Sequence, residues 1–436
     1  MSKYVRQEKS QRKHPVASSA TSLIKAPVVP AAPKERPGWK GPGFTNKAPK
    51  QPSRPSPSLS TVTASNIQEQ HFPIELQQLL FNIFRANFPA CQDYERLKPI
   101  LREIKDALSG RDFEQAFGRL DCLQAYAVRW SPNRALCYAS VLIEICKEFR
   151  EDVWVKHLIG GRDSEAERLL KYPENTARPM NIVCYGGGAA EVMAFGAMLR
   201  YVQPDAAGKP FVASGQAETV TESMSLLSIP GTPAHPPILD LHLVDRANWA
   251  PIVSSLQTGL ATPPILSKYA SASAKANNAS FLAPGVLNTS FHQCNILEAS
   301  QDELESVIGA EVALITLLFT LSDLHASSVA KSTAFLLKLT LAAPKNSLLL
   351  IVDSPESSSE AAIENNDQSK EKKSYPMRYL LDLVLMEKRL PKAVDDNPAW
   401  EKLVEDQSRL FKLEEGLKYP IGLENIRFQF YLFRKL

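Results

Sequence analysis

NIVCYGGGAAEVMAFGA, residues 181–197, runs from an apolar stretch through three glycines into an alanine-rich, helix-forming segment. A strand–turn–helix unit of this kind opens a doubly wound sheet. Gly186, Gly188 and Ala190 fit the spacing G-x-G-x-G/A. Glycine there lets the backbone approach a ligand, and the helix behind it offers free N–H groups. No Gly-Lys-Ser/Thr follows, so the turn is not a phosphate loop. The spacing alone admits a dinucleotide, S-adenosylmethionine or a purely structural corner.

Around this unit, strands and helices alternate. The pattern predicts strands at 182–185, 241–245, 291–294, 312–319 and 348–353, and a late strand at 426–433. Helices are predicted over 191–201, 329–339 and 379–386. The series implies an α/β domain with both sheet faces covered. Upstream, 72–84, 94–108 and 136–149 read as helices, with Gly110 ending the second and Asp112 capping the next. The expected organisation is a basic Pro/Ser-rich tail at 1–68, a helical subdomain at 69–150 and the α/β domain at 151–436. Insertions are expected near 205–237 and 354–374.

Charge is unevenly placed. Residues 1–66 hold twelve Lys/Arg and two acids, so the rest of this +3 chain carries about −7. A basic tail with little to bury is expected to be disordered and suits a polyanion such as RNA. The six cysteines form no CxxC pair, and no apolar run reaches a membrane span. A soluble intracellular protein with reduced thiols, in no contact with a membrane, is the expectation.

Candidate ligand residues sit at strand ends. Asp245 closes the second strand in HLVDRANW (242–249) and offers two acceptor oxygens to ribose hydroxyls. It lies 57 residues beyond Gly188, against about 20 in a dinucleotide fingerprint. The insertion at 205–237 accounts for the excess. In FHQCNIL (291–297), Asn295 either reaches an adenine amino group or forms a turn. In TLLFTLSDLH (316–325), Thr320, Ser322 and Asp323 stand where ligands of open sheets bind. Asp323 also suits a helix cap, and His325 reads as structural. YAVRWSPNRALCYA (126–139) groups Tyr126, Arg129, Arg134 and Tyr138 about a Trp-Ser-Pro helix start. Guanidinium forks suit RNA or a carboxylate; the plainer reading is a capped helix docked on the domain. No His/Cys/Asp cluster has metal-ligand spacing.

Five longer strings carry a resemblance: 123–139, VCYGGGAAE (183–191), LDLHLVDRANWAPIVSSL (239–256), TLLFTLSDL (316–324) and LKYPIGLENIRFQFYLFRK (417–435). Through them the chain resembles, over about 70–436, a fungal family of S-adenosylmethionine-dependent methyltransferases. That family includes the 25S rRNA uridine-N3-methyltransferase of yeast. The resemblance implies a Rossmann-like class I methyltransferase with an N-terminal helical subdomain and S-adenosylmethionine as cofactor. By position, Gly186, Gly187, Gly188 and Glu191 would line the methionine side of the cofactor. Asp245 would hold the ribose with Arg246 beside it, Asn295 would approach adenine, and Thr320 would complete the set. Asp323 is the candidate base, and Arg129, Arg134, Tyr126 and Tyr419 are candidate substrate contacts. The chain departs from common patterns at Cys184, Asn295 and Ser322-Asp323, where relatives of this fold often carry an acid, an acid and Asn-Glu. The implied activity is methylation of N3 of a uridine in large-subunit rRNA. The alternative is a catalytically inactive methyltransferase-like protein that binds RNA or assists ribosome assembly. Expected partners are rRNA or a pre-ribosomal particle, met by a monomer in the nucleus or nucleolus, with the cytoplasm also open.

Overall fold

The computed structural model describes residues 67–68, 70–160, 179–208, 237–355, 358–361, 373–386 and 398–436. Expectations placed on 1–66, and on most of 205–237 and 354–374, lie outside them.

The chain begins with a helical region: α1 (Ile74–Asn87), α2 (Tyr94–Ser109), α3 (Phe113–Phe117), α4 (Leu120–Arg129), α5 (Ser131–Glu148) and α6 (Val153–Gly160). Capping follows the side-chain chemistry. Asp93 accepts the Arg96 N–H at the start of α2, and Asp112 accepts the Gln115 N–H at the start of α3. Pro132 sits in the first turn of α5, where its missing N–H costs nothing. On α1 the buried face is Gln77, Leu80, Phe81 and Phe84, while Ile74 and Leu79 stay exposed. Gln77 is tolerated inside because its Nε2 donates to the Phe72 carbonyl at 2.7 Å.

The α/β part follows: β1 (Met180–Tyr185), α7 (Ala189–Val202), β2 (Leu239–Asp245), α8 (Ala250–Ala261), α9 (Ala272–Ala276) and β3 (Leu287–Gln293). It continues with α10 (Gln301–Ile308), β4 (Val312–Leu318), α11 (Leu321–Ser327), α12 (Val329–Ala342) and β5 (Leu348–Asp353). After β5 come a hairpin of β6 (Ser358–Ala361) and β7 (Lys373–Pro376), α13 (Met377–Leu381), and long strands β8 (Trp400–Phe411) and β9 (Ile426–Lys435). The main sheet has seven strands in the order β3-β2-β1-β4-β5-β9-β8. Strands β1 to β5 are mutually parallel, and β9 enters antiparallel between β5 and β8.

Alternation along each strand splits the core into two layers. Ile182, Cys184, Leu241, Leu243, Leu314 and Leu318 face α1, α2, α4, α5, α7 and α8. Val183, Tyr185, Val244, Ile315 and Leu317 face α10, α12 and α13. Strands buried on both faces read as continuous apolar runs, which is why β1, β4 and β5 are plain in the sequence. The first layer is one continuous core from Phe72 to Leu432, so the N-terminal helices pack on the sheet itself. Among the described residues no helix is long and apolar enough to cross a membrane.

Two strands differ from the sequence reading. β3 starts at Leu287 rather than 291, because its exposed polar residues hide the pattern. β8 is not anticipated at all. It is an edge strand bearing Glu401, Lys402, Glu405, Asp406 and Arg409, with register shifts at Lys402/Val404 and Asp406/Arg409. Charges and irregularities suit an edge and erase the alternation that would announce it.

Candidate active site

In this sheet the order reverses between β1 and β4, so a crevice opens at their carboxyl ends. The glycine turn lies in that crevice. Gly186 has φ +73°, and a Cβ there would stand 2.2 Å from Thr320 Oγ1. A Cβ on Gly187 would meet Leu243 Cδ2 at 2.7 Å and Cys184 Cβ at 2.8 Å, and one on Gly188 would press on the Trp249 indole at 3.0 Å. The turn is therefore flattened between the sheet and two side chains. Gly188 opens α7, and its N–H donates to Glu191 Oε2 at 2.7 Å. Cys184 is buried behind the turn, and burial pushes its thiol pKa up. The carboxylate of this turn thus arrives from Glu191, not from position 184. Burial raises the Glu191 pKa to about 7 against the opposing pull of the Gly188 hydrogen bond.

The turn forms one wall of a cavity of about 930 Å³, which Asp245, Asn295, Thr320 and Asp323 also line. Asp245, at the end of β2, accepts the Ala247 N–H at 2.7 Å. Burial drives its pKa up to about 7, although the Ala247 and Trp249 hydrogen bonds oppose the shift. Arg246 stands at the rim, paired with Glu114 of α3 at 3.2 Å. Asn295 follows β3; its Oδ1 accepts the Leu297 N–H at 3.3 Å, and its carbonyl accepts the Glu298 N–H at 2.9 Å.

Thr320 and Asp323 come from the β4–α11 junction. Thr320 Oγ1 lies 3.3 Å from the Tyr185 carbonyl and 3.2 Å from the Leu318 carbonyl, which joins the ends of β1 and β4. Asp323 occupies the first turn of α11, exposed to solvent at the cavity it lines. Desolvation, with the nearby Asp353 carboxylate, raises its pKa to about 6; Arg134 and Arg111 pull the other way. Asp353 itself goes unremarked in a reading of the sequence. It is fully buried at the end of β5 and accepts the Ser322 N–H at 2.9 Å, the Ser322 hydroxyl at 2.7 Å and the Ser354 N–H at 2.7 Å. It caps α11 from another strand. Its signature, an acid closing an apolar run, is the one that singles out Asp245.

The helical region closes the cavity. Phe117, Tyr126, Trp130 and Trp249 form an aromatic cluster with neighbouring centroids 5.0–6.2 Å apart. Arg134 donates to the Tyr126 hydroxyl, and its guanidinium lies over the Tyr126 and Phe319 rings at 5.6 and 5.0 Å. Phe319 has φ +53° and stacks on Tyr138 at 6.1 Å. A bulky residue in that conformation stores strain, as ligand clamps do. Two sequence candidates lie apart from this group. Arg129 ion-pairs with Glu424 and stands over Trp130, and Tyr419 donates to the Val128 carbonyl at 3.0 Å beside Phe81. Neither lines the cavity.

A parallel sheet with an antiparallel penultimate strand, a glycine turn after β1 and an acid closing β2 define a class I S-adenosylmethionine-dependent methyltransferase fold. An N-terminal helical region precedes its mixed sheet. The chain belongs to the family described as "Putative SAM-dependent methyltransferase", whose model matches residues 84–434. It is similar to the 25S rRNA (uridine(2843)-N(3))-methyltransferase of Saccharomyces cerevisiae: 27% identical over 368 residues, covering 82% of this chain and 85% of that protein. Among solved structures it matches a SAM-dependent methyltransferase of Methanosarcina mazei at 10% identity and TM-score 0.28, over 59% of this chain and 93% of the other. It also matches an O-methyltransferase family protein of Burkholderia thailandensis at 8% identity and TM-score 0.27, over 71% and 63%. The residues present fit S-adenosylmethionine. Gly186 and Gly188 bring backbone without side chains to the wall of the same cavity that Glu191 and the Asp245 carboxylate line.

Proposed function

We propose that this protein transfers a methyl group from S-adenosylmethionine to N3 of a uridine in large-subunit rRNA, free or within a pre-ribosomal particle in the nucleus or nucleolus. The observation that carries the chemistry is Asp323, a carboxylate of raised pKa at the β4 end of the cofactor cavity. The choice of uridine N3 rests on the activity of the yeast relative. S-adenosylmethionine, when bound, supplies an electrophilic methyl group on a sulfonium. Uridine N3 carries a weakly acidic proton between two carbonyls, which must leave before or during attack. Asp323 accepts that proton at its carboxylate; a pKa of about 6 leaves it ionised at neutral pH yet more basic than an ordinary aspartate. The aromatic side chains that line the cavity limit water around the reacting atoms; Phe319 is already taken up by Arg134 and Tyr138. A paired uridine would have to flip out to enter.

Incubation with labelled cofactor and rRNA, followed by nucleoside analysis, tests this reading. N3-methyluridine is expected; strong protein labelling with no RNA labelling overturns it. Absence of S-adenosylmethionine binding in isothermal titration would favour a non-catalytic RNA-binding role. Asp323→Asn is expected to lower turnover about 10²- to 10⁴-fold with cofactor affinity retained, and normal methylation by that variant removes Asp323 as the base.

A further inference from the structure

Three cations of the described residues line the cavity, and two of them are already paired. Arg246 meets Glu114 at 3.2 Å, and Lys331 meets Glu298 at 3.6 Å. The third, Arg134, has no carboxylate partner among the described residues. Its polar contact is the Tyr126 hydroxyl, and its faces rest on Tyr126 and Phe319. It projects from the first turn of α5, half-buried, and lines the cavity. Burial disfavours its charge, but Tyr126, Tyr138, Asp323 and Glu191 outweigh that, so it remains a cation. A half-buried guanidinium in a cavity wall with no carboxylate partner suits a planar anion with two oxygens.

The sheet order says which anion. Asp245 closes β2, the glycine turn follows β1, and Phe319 follows β4, and these strands are adjacent in the order β2-β1-β4. A cofactor with its ribose at Asp245 that crosses Gly186 and Gly188 has its far end opposite β4. For S-adenosylmethionine that end is an amino acid, with one carboxylate and one ammonium. Phe319 holds Arg134 over the β4 end, and the acid Glu191, beside the glycine turn, lines the same cavity with the charge an ammonium requires.

We propose that Arg134 anchors the carboxylate of the cofactor's methionine moiety, so that the N-terminal helical region completes the cofactor site instead of gripping RNA at this point. The inference rests on S-adenosylmethionine as cofactor and is independent of which nucleotide is methylated.

The test is isothermal titration of the full-length protein, Arg134→Gln and Arg134→Lys with two ligands. One is S-adenosylmethionine; the other is 5′-methylthioadenosine, which keeps the adenine, ribose and sulfur and lacks the amino acid. Arg134→Gln is expected to lose about 10- to 100-fold in affinity for S-adenosylmethionine. Its affinity for methylthioadenosine should stay within about threefold, and Arg134→Lys should fall between. Unchanged S-adenosylmethionine affinity in Arg134→Gln overturns the proposal, whether or not RNA methylation drops. A parallel loss of both ligands also overturns it, by making Arg134 a structural support. Wild-type protein that binds neither ligand overturns this inference and the proposed function together, whereas normal wild-type binding with insensitive Arg134 variants overturns this inference alone.

Discussion

Substituting alanine for Gly186 places a methyl group where the structure has none to spare. The backbone there has φ +73°, which costs a residue with a Cβ about 1–2 kcal/mol. The new Cβ would also lie 2.2 Å from Thr320 Oγ1, 2.5 Å from Cγ2 and 2.9 Å from Cβ. Thr320 is β-branched and held by the Tyr185 and Leu318 carbonyls, so relief requires moving the β4–α11 junction. Overpacking of this kind costs about 1–3 kcal/mol. The sum, about 2–5 kcal/mol, is a large part of the total stability of about 5–15 kcal/mol expected for a folded domain. Equilibrium urea unfolding of Gly186→Ala, Thr320→Gly and the double variant separates the two terms. In the Thr320→Gly background the alanine should cost only the dihedral part, about 1–2 kcal/mol. Wild-type stability in Gly186→Ala, or an equal loss in both backgrounds, refutes the reasoning.

Two carboxyls give a pH dependence of opposite sign for binding and for folding. Asp245 and Glu191 have pKa values raised to about 7, so both take up protons as the pH falls through 7. Affinity for the cationic cofactor should fall between pH 8 and pH 6, by up to about tenfold per unit per group, with protons released on binding. The empty protein should gain stability as the pH falls from about 7 towards about 4, because a carboxyl with a raised folded pKa destabilises the fold above that pKa and ceases to below its ordinary value. Asp245→Asn should flatten its share of both trends in titration calorimetry and thermal unfolding; affinity independent of pH in the wild type would tell against the assignment. Asp353→Ala strips the acceptor from Ser322 and Ser354 and should cost about 2–4 kcal/mol. It should also increase hydrogen exchange in α11 and lower turnover through Asp323 while cofactor affinity holds; unchanged exchange in α11 would show that Asp353 does not hold that helix.

Much of the framework is legible locally. Apolar runs at 182–185, 312–318 and 348–353 announce strands buried on both faces, and glycines after the first announce a turn pressed against something. Asp245 and Asp323 are legible for the same reason, since each ends or follows such a run. The β8 edge is not, because its side chains answer to solvent and to β9 rather than to a period of two.

What the sequence determines by itself is therefore the alternation of elements, the glycine turn and the acids that follow strands, because these depend on neighbours a few residues away. Tertiary structure alone decides which of two arginines five residues apart enters the site. Arg129 is claimed by Glu424, 295 positions downstream, while Arg134 turns to the cavity over Phe319. It also decides that Asp353, on β5, holds the helix bearing Asp323. The energy of a buried charge or donor is set by whichever partner the fold brings within hydrogen-bonding distance, and that partner has no fixed place in the sequence.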